Sequence, residues 1–184
     1  HTFVLAIGGH QLTNDVSVGL RATKMDAEKI KIKYGSCLSE GISPGETIEV
    51  PGMGGRESRT MPRQVLGEIL EPRVEEIFAL IKREIFKIGL ENSMNAGIVV
   101  TGGSSLLEGL TDLAESVFNQ PARLGKPQGI GGLVDVVNNP MYATGVGLVL
   151  FGAKHQSENK FRIRDENIFN RVIKRMKKWF SDVI

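Results

Sequence analysis

Cysteine is almost missing from this chain: Cys37 stands alone among 184 residues. A single thiol excludes an internal disulfide and leaves no thiol set for zinc, which suits a reducing compartment. Histidine is nearly as scarce, and His1, His10 and His155 are too scattered for metal-ligand spacing. No metal site is expected. Long apolar runs are lacking as well: nothing approaches the ~18 uninterrupted residues of a membrane-spanning helix, and the first residues do not read as a signal peptide. The net charge is only +2, but it is unevenly spread. Residues 154–184 hold nine Lys or Arg against four Asp or Glu, +5, which leaves −3 for the rest. A nucleic-acid-binding domain spreads its cations over a folded face with aromatics between them, so a slightly acidic body with a basic end argues against a nucleic-acid partner.

The 41% apolar content is enough for an ordinary core. The body alternates strand-like with helix-like segments. "FVLAI" (Phe3 to Ile7) reads as a strand, Gly8 and Gly9 as its turn, and the residues after them as a helix with Thr13 at its N-cap. Thr23 and Asp26 have capping-box spacing before a second helix that Gly35 can stop. Thr47 to Val50 alternates like a strand, and a glycine-rich basic loop follows. From Pro62 to about Ile88 apolar residues recur at three and four, the period of a long helix in which Pro72 should produce a kink. "AGIVVTGGSSLLEGLTDLAESVF" then repeats strand, glycine turn and helix. "ARLG" is a short strand candidate and "NPMYATGVGLVLFGA" an apolar helix. Such alternation implies an α/β core.

Two places can carry chemistry. Gly102 and Gly103 with Ser104 follow a strand, where backbone approaches a ligand closely and N–H groups at a helix start attract anions or ring acceptors. Many such turns are purely structural. Glu28 and Lys31, three apart on one helical face, suit a ribose hydroxyl and an adenine edge. A solvated ion pair has the same spacing.

The chain's end is different in kind. On a helical wheel Ile168, Phe169, Val172, Ile173, Met176, Trp179, Phe180, Val183 and Ile184 fall within an arc of about 160°, opposite Arg171, Lys174, Arg175, Lys177 and Lys178. A helix lying in the headgroup region of an anionic bilayer needs this division, and five cations at about 1 kcal/mol each contribute roughly 5 kcal/mol. Docking on the protein's own core or on a second copy is the competing reading. The polar "HQSENKFRIRDE" before it reads as a linker.

"GGHQLTNDVSVGL", "DAEKIKIKYG", "VPGMGGR", "EILEPRVEEIF", "GIVVTGGSSLLEGL" and "YATGVGLVLFGA", in this order and followed by a basic amphipathic end, resemble the C-terminal part of the FtsA family of bacterial actin-like cell division proteins. The resemblance runs from His1 to the last residue. It implies half of an actin-like (ribonuclease H-like) ATPase fold: a mixed sheet with flanking helices over 1–19 and 96–154, a small α/β subdomain inserted at 20–95, a linker at 155–166 and a membrane-targeting helix at 167–184. It implies an adenosine site made by Gly102, Gly103 and Ser104, with Glu28 and Lys31 across the base and Gly8 and Gly9 beside it. The cofactor would be ATP, with Mg2+ in the full-length protein. The partners implied are the acidic tail of FtsZ, received by Arg73, Arg63, Arg56 or Arg59, further copies in a filament, later division proteins and the anionic cytoplasmic face of the inner membrane at the septum. Ordinary solvated surface is the alternative for those arginines. The first phosphate loop and the DxGGGT loop of the family are not in this sequence, so the chain reads as part of something longer that does not hydrolyse ATP by itself, and no catalytic residue is nominated. An ATP-dependent kinase or chaperone of the same superfamily is the alternative class; a soluble kinase has no use for the terminal helix.

Overall fold

The computed structural model describes residues 1–91, 94, 96–131 and 134–155. They fall into two units, His1–Ala143 and Thr144–Ile184. In the first, helix α1 (Gly9–Gly19) is followed by α2 (Lys24–Tyr34), the antiparallel pair β1 (Thr47–Val50) and β2 (Arg59–Pro62), the 25-residue helix α3 (Arg63–Lys87), strand β3 (Ile98–Val100), α4 (Leu110–Phe118), β4 (Ala122–Leu124) and a short α5 (Val134–Val137). Helix α6 (Ala143–His155) carries the described part of the second unit, where the His155 ring stacks on Phe151 with centroids 4.0 Å apart.

The capping-box expectation holds. Thr23 is the N-cap of α2, accepting from the Asp26 amide at 3.1 Å while its hydroxyl donates to the Asp26 carboxylate at 2.7 Å. In β1, Ile48 and Val50 are buried while Thr47 and Glu49 are exposed, the alternation expected of a half-buried strand. The α3 period is also realised: Leu66, Leu70, Val74 and Phe78 form one buried stripe, and the helix runs on through Pro72. This stripe meets Leu12 and Val16 of α1, Leu20 at its C-cap, Ala27 and Ile30 of α2, and Leu110, Leu113 and Phe118 of α4 in a single core. The Phe78 and Phe118 rings lie 5.6 Å apart and tilted. β3 and β4 pair in parallel, Ile98 opposite Ala122 and Val100 opposite Leu124, so "ARLG" is indeed a strand.

Several expectations are corrected. Phe3 to Ile7 is not a strand: no described segment pairs with it, and Phe3 and Val4 are exposed. An apolar run supplies strand propensity, but only a partner supplies the ladder. Thr13 is not an N-cap. α1 begins at Gly9 with Gly8 as its cap, and Thr13 lies buried inside the helix, its hydroxyl 2.9 Å from the Gly9 carbonyl one turn back. The glycine pair does not open a helix directly either; residues Gly103–Leu106 form a 3-10 turn and α4 starts only at Leu110. The loop after β1 returns as β2, which alternation alone did not reveal. The expected terminal helix over 167–184, and the linker apart from His155, lie outside the described residues.

Candidate functional site

Three pieces of chain converge beside the core: the first turn of α1, one face of α2 and the turn after β3. The capping box sets the phase of α2, which puts Glu28 and Lys31 on the side facing α1. Lys31 is buried, with 6% of its surface exposed, which a lysine tolerates only when its ammonium is fully partnered. It donates to the Gly9 carbonyl at 3.0 Å, the Thr13 hydroxyl at 2.9 Å and Glu28 Oε2 at 2.7 Å. Thr13 bonds the same carboxylate oxygen. An ammonium has three N–H groups, so Lys31 is saturated.

The turn after β3 needs its glycines. Gly102 has φ +98°, a region costly for any residue with a Cβ, and its carbonyl accepts from the Ser105 hydroxyl at 2.6 Å. The Gly102 amide donates to the Pro140 carbonyl at 3.1 Å, which brings Met141 alongside. Across the gap, a Cβ on Gly9 would lie 2.6 Å from Ser104 Oγ, so glycine there lets the first turn of α1 meet the 3-10 turn.

Between these pieces opens a cleft of about 400 Å³. Of the residues expected at a nucleotide, Gly9, Glu28, Lys31, Gly103 and Ser104 line it together, whereas Gly8 and Gly102 flank it as the N-caps of α1 and of the 3-10 turn. His10, Ile32, Leu106, Leu107 and Met141 complete the lining and were not read from the sequence. Ile32, Leu106 and Met141 are large apolar residues left exposed, which suits a ring face set among a few polar groups. A volume in the small-ligand range and this mixture fit a nucleoside. Among the described residues no group of three or more His, Cys, Asp or Glu is placed to hold a metal ion. Cys37 is no nucleophile: burial, then the charge of Glu71, pushes its thiol up to about 12.

Burial pushes the Glu28 carboxyl up, but hydrogen bonds from Lys31 and Thr13 and the Lys31 charge outweigh it, and the group sits below the ordinary 4.5. A depressed folded value means that its stabilising contribution is present above the unfolded value and lost as pH falls through the folded one. The melting temperature is therefore expected to hold from pH 7 to about 5 and to fall below it. The fall should be shallower in Glu28→Gln; identical acid limbs would remove Glu28 from the linkage.

The four arginines nominated for an acidic tail are spread along β2, α3 and the loop before them. Arg63 donates to the Tyr34 carbonyl at 2.8 Å, to Glu46 at 2.7 Å and to Glu108. Arg73 pairs with Asp15 through contacts of 2.5 and 3.2 Å and with Glu76. Arg59 donates to the Leu20 carbonyl, and Arg56 lines a surface groove with Arg21 and Met53. A peptide carboxylate reaching Arg63 or Arg73 would compete with these acids.

The family model described as "Cell division protein FtsA" matches residues 1–147. Proteins of that description are similar throughout: 43% identity in Pseudomonas aeruginosa over 97% of this chain and 44% of the relative, 40% in Neisseria meningitidis over 99% and 45%, and 34% in Escherichia coli K12 over 97% and 45%. The chain thus spans less than half the length of these relatives. Among solved structures, the actin-like MreB 5 of Spiroplasma citri bound to AMPPNP superposes with a TM-score of 0.66 at 15% identity, over 84% of this chain and 46% of that one. Its ADP-bound form gives 0.62 at 16% identity, over 84% and 47%.

Proposed function

Since this chain belongs to the FtsA family of cell division proteins, we propose that it forms part of an ATP-binding adaptor that tethers FtsZ filaments to the cytoplasmic face of the inner membrane at the septum. In this reading the adaptor associates with further copies of itself and receives later division proteins. It is at most a weak ATPase.

The observation that carries the reading is the cleft in which Glu28 and Lys31 of α2 face Gly9, Gly103 and Ser104. Glu28 would accept from the sugar, the glycine backbone would lie against the base, and Ile32, Leu106 and Met141 would cover the ring's apolar faces. Two structural neighbours of the same fold are described as bound to AMPPNP and to ADP, which supports an adenosine nucleotide here. Magnesium would arrive with the triphosphate and supply charge neutralisation at the phosphates; the residues described here act at the adenosine end. The membrane part of the proposal rests on the basic amphipathic composition of residues 168–184, and the FtsZ part on the family together with the cations of β2, α3 and the preceding loop.

Co-sedimentation tests the whole reading. FtsZ filaments mixed with phosphatidylglycerol vesicles are expected to pellet with them when the natural polypeptide carrying these residues and ATP are both present. FtsZ partitioning that ignores the protein would sink the adaptor, and partitioning that ignores ATP would detach the cleft from it.

A further inference from the structure

Resting on the adenosine-nucleotide reading of the cleft, we infer that Thr13 is a positioning residue that aims Glu28 at the sugar's 2′-hydroxyl, making the cleft selective for ribonucleotides over 2′-deoxyribonucleotides. Proton bookkeeping at the buried cluster leads there. Lys31 has three N–H groups, and the Gly9 carbonyl, Thr13 Oγ1 and Glu28 Oε2 take all three. No donor remains for a ligand, so Lys31 works behind Glu28.

Thr13 accepts one of those N–H groups and has a single proton of its own. That proton has two acceptors in reach, Glu28 Oε2 and the Gly9 carbonyl at 2.9 Å. The carboxylate is the stronger acceptor because it is charged. Oε2 is thereby held from two sides, by an ammonium and a hydroxyl. Among the described residues nothing bonds Oε1, and Glu28 lines the cleft with 42% of its side chain exposed. An unpartnered carboxylate oxygen on a rigid side chain is an acceptor for a hydroxyl donor. Ribose offers that oxygen a 2′-hydroxyl, and a 2′-deoxy sugar keeps only the 3′-hydroxyl one ring carbon away. Without Thr13 the carboxylate keeps one tether and can turn about it.

A clamp that merely joined α1 to α2 would affect both nucleotides alike, and the ratio of affinities separates the two roles. The natural polypeptide, with Thr13→Ser, Thr13→Val and Thr13→Ala, is titrated with ATP and with 2′-deoxy-ATP, and folding is checked by melting. The alanine variant removes the hydroxyl without added volume should valine not fold. The wild type is expected to prefer ATP roughly tenfold, a discount for exposure on a hydrogen bond to a charged group. Serine should keep that ratio, and valine or alanine should bring it close to one. A hydroxyl-free variant with the wild-type ratio, whatever its absolute affinity, overturns the inference and leaves the nucleotide reading standing. So does a wild type that binds both nucleotides equally. A wild type that takes up neither overturns both.

Discussion

Removing residues 168–184 is expected to shift the natural polypeptide from the vesicle pellet to the supernatant, with a partition coefficient lower by more than about a thousandfold. The five cations Arg171, Lys174, Arg175, Lys177 and Lys178 contribute roughly 1 kcal/mol each at an anionic surface, and the apolar arc around Trp179 and Phe180 adds burial in the acyl boundary. Because the cationic share is screened, raising the salt should weaken binding of the intact protein well before it affects folding. Trp179, the sole tryptophan, reports the step directly. Its emission should move to the blue on adding phosphatidylglycerol vesicles. Emission indifferent to lipid, or a truncated protein that still pellets, would leave docking on the protein's own core as the role of this segment.

Changing Arg63 to glutamate is expected to destabilise the fold by about 3 kcal/mol and to lower the melting temperature by roughly 6–12 °C. Its guanidinium, 15% exposed, ties the end of α2 through the Tyr34 carbonyl, the start of β1 through Glu46 and the segment before α4 through Glu108. A carboxylate there loses three hydrogen bonds and faces two like charges. Glu46 and Glu108 are partly solvated, so the effect falls short of a fully buried pair. The Cys37 amide also donates to the Glu108 carbonyl at 2.7 Å, so this junction passes from the segment after α2 to the residue beside Leu107 in the cleft wall. Glu108→Gln, which keeps the shape and removes one charge, should cost under about 1 kcal/mol. An unchanged melting temperature in Arg63→Glu would return Arg63 to the free surface cations and strengthen its candidacy for an acidic peptide.

Much of the site was legible because it is written in local chemistry. The Thr23 and Asp26 cap and the Gly35 stop delimit α2, and that phase alone places Glu28 beside Lys31. Gly102 and Gly103 after a β-branched run announce a turn that side chains cannot make. The saturation of Lys31 was not legible. Its partners Gly9 and Thr13 lie on another helix, and Thr13 looked like a cap because a threonine after glycines commonly is one. His10, Ile32, Leu106 and Met141 gave no signal, since an apolar residue at a helix or turn position reads as core until the fold leaves it uncovered.

Phe3 to Ile7 shows the same boundary in reverse: the residues favour an extended chain, yet strand identity belongs to a pair, and pairing is long-range. By itself the sequence determined the limits of α2, the α3 stripe and the division of charge between body and end, because each follows from neighbours a turn or less away. The tertiary structure alone decided which carbonyls consume the Lys31 ammonium, which oxygen of Glu28 stays open, and that Arg63 is bound to internal acids. Those outcomes depend on distances between residues far apart in the chain, which no local pattern encodes.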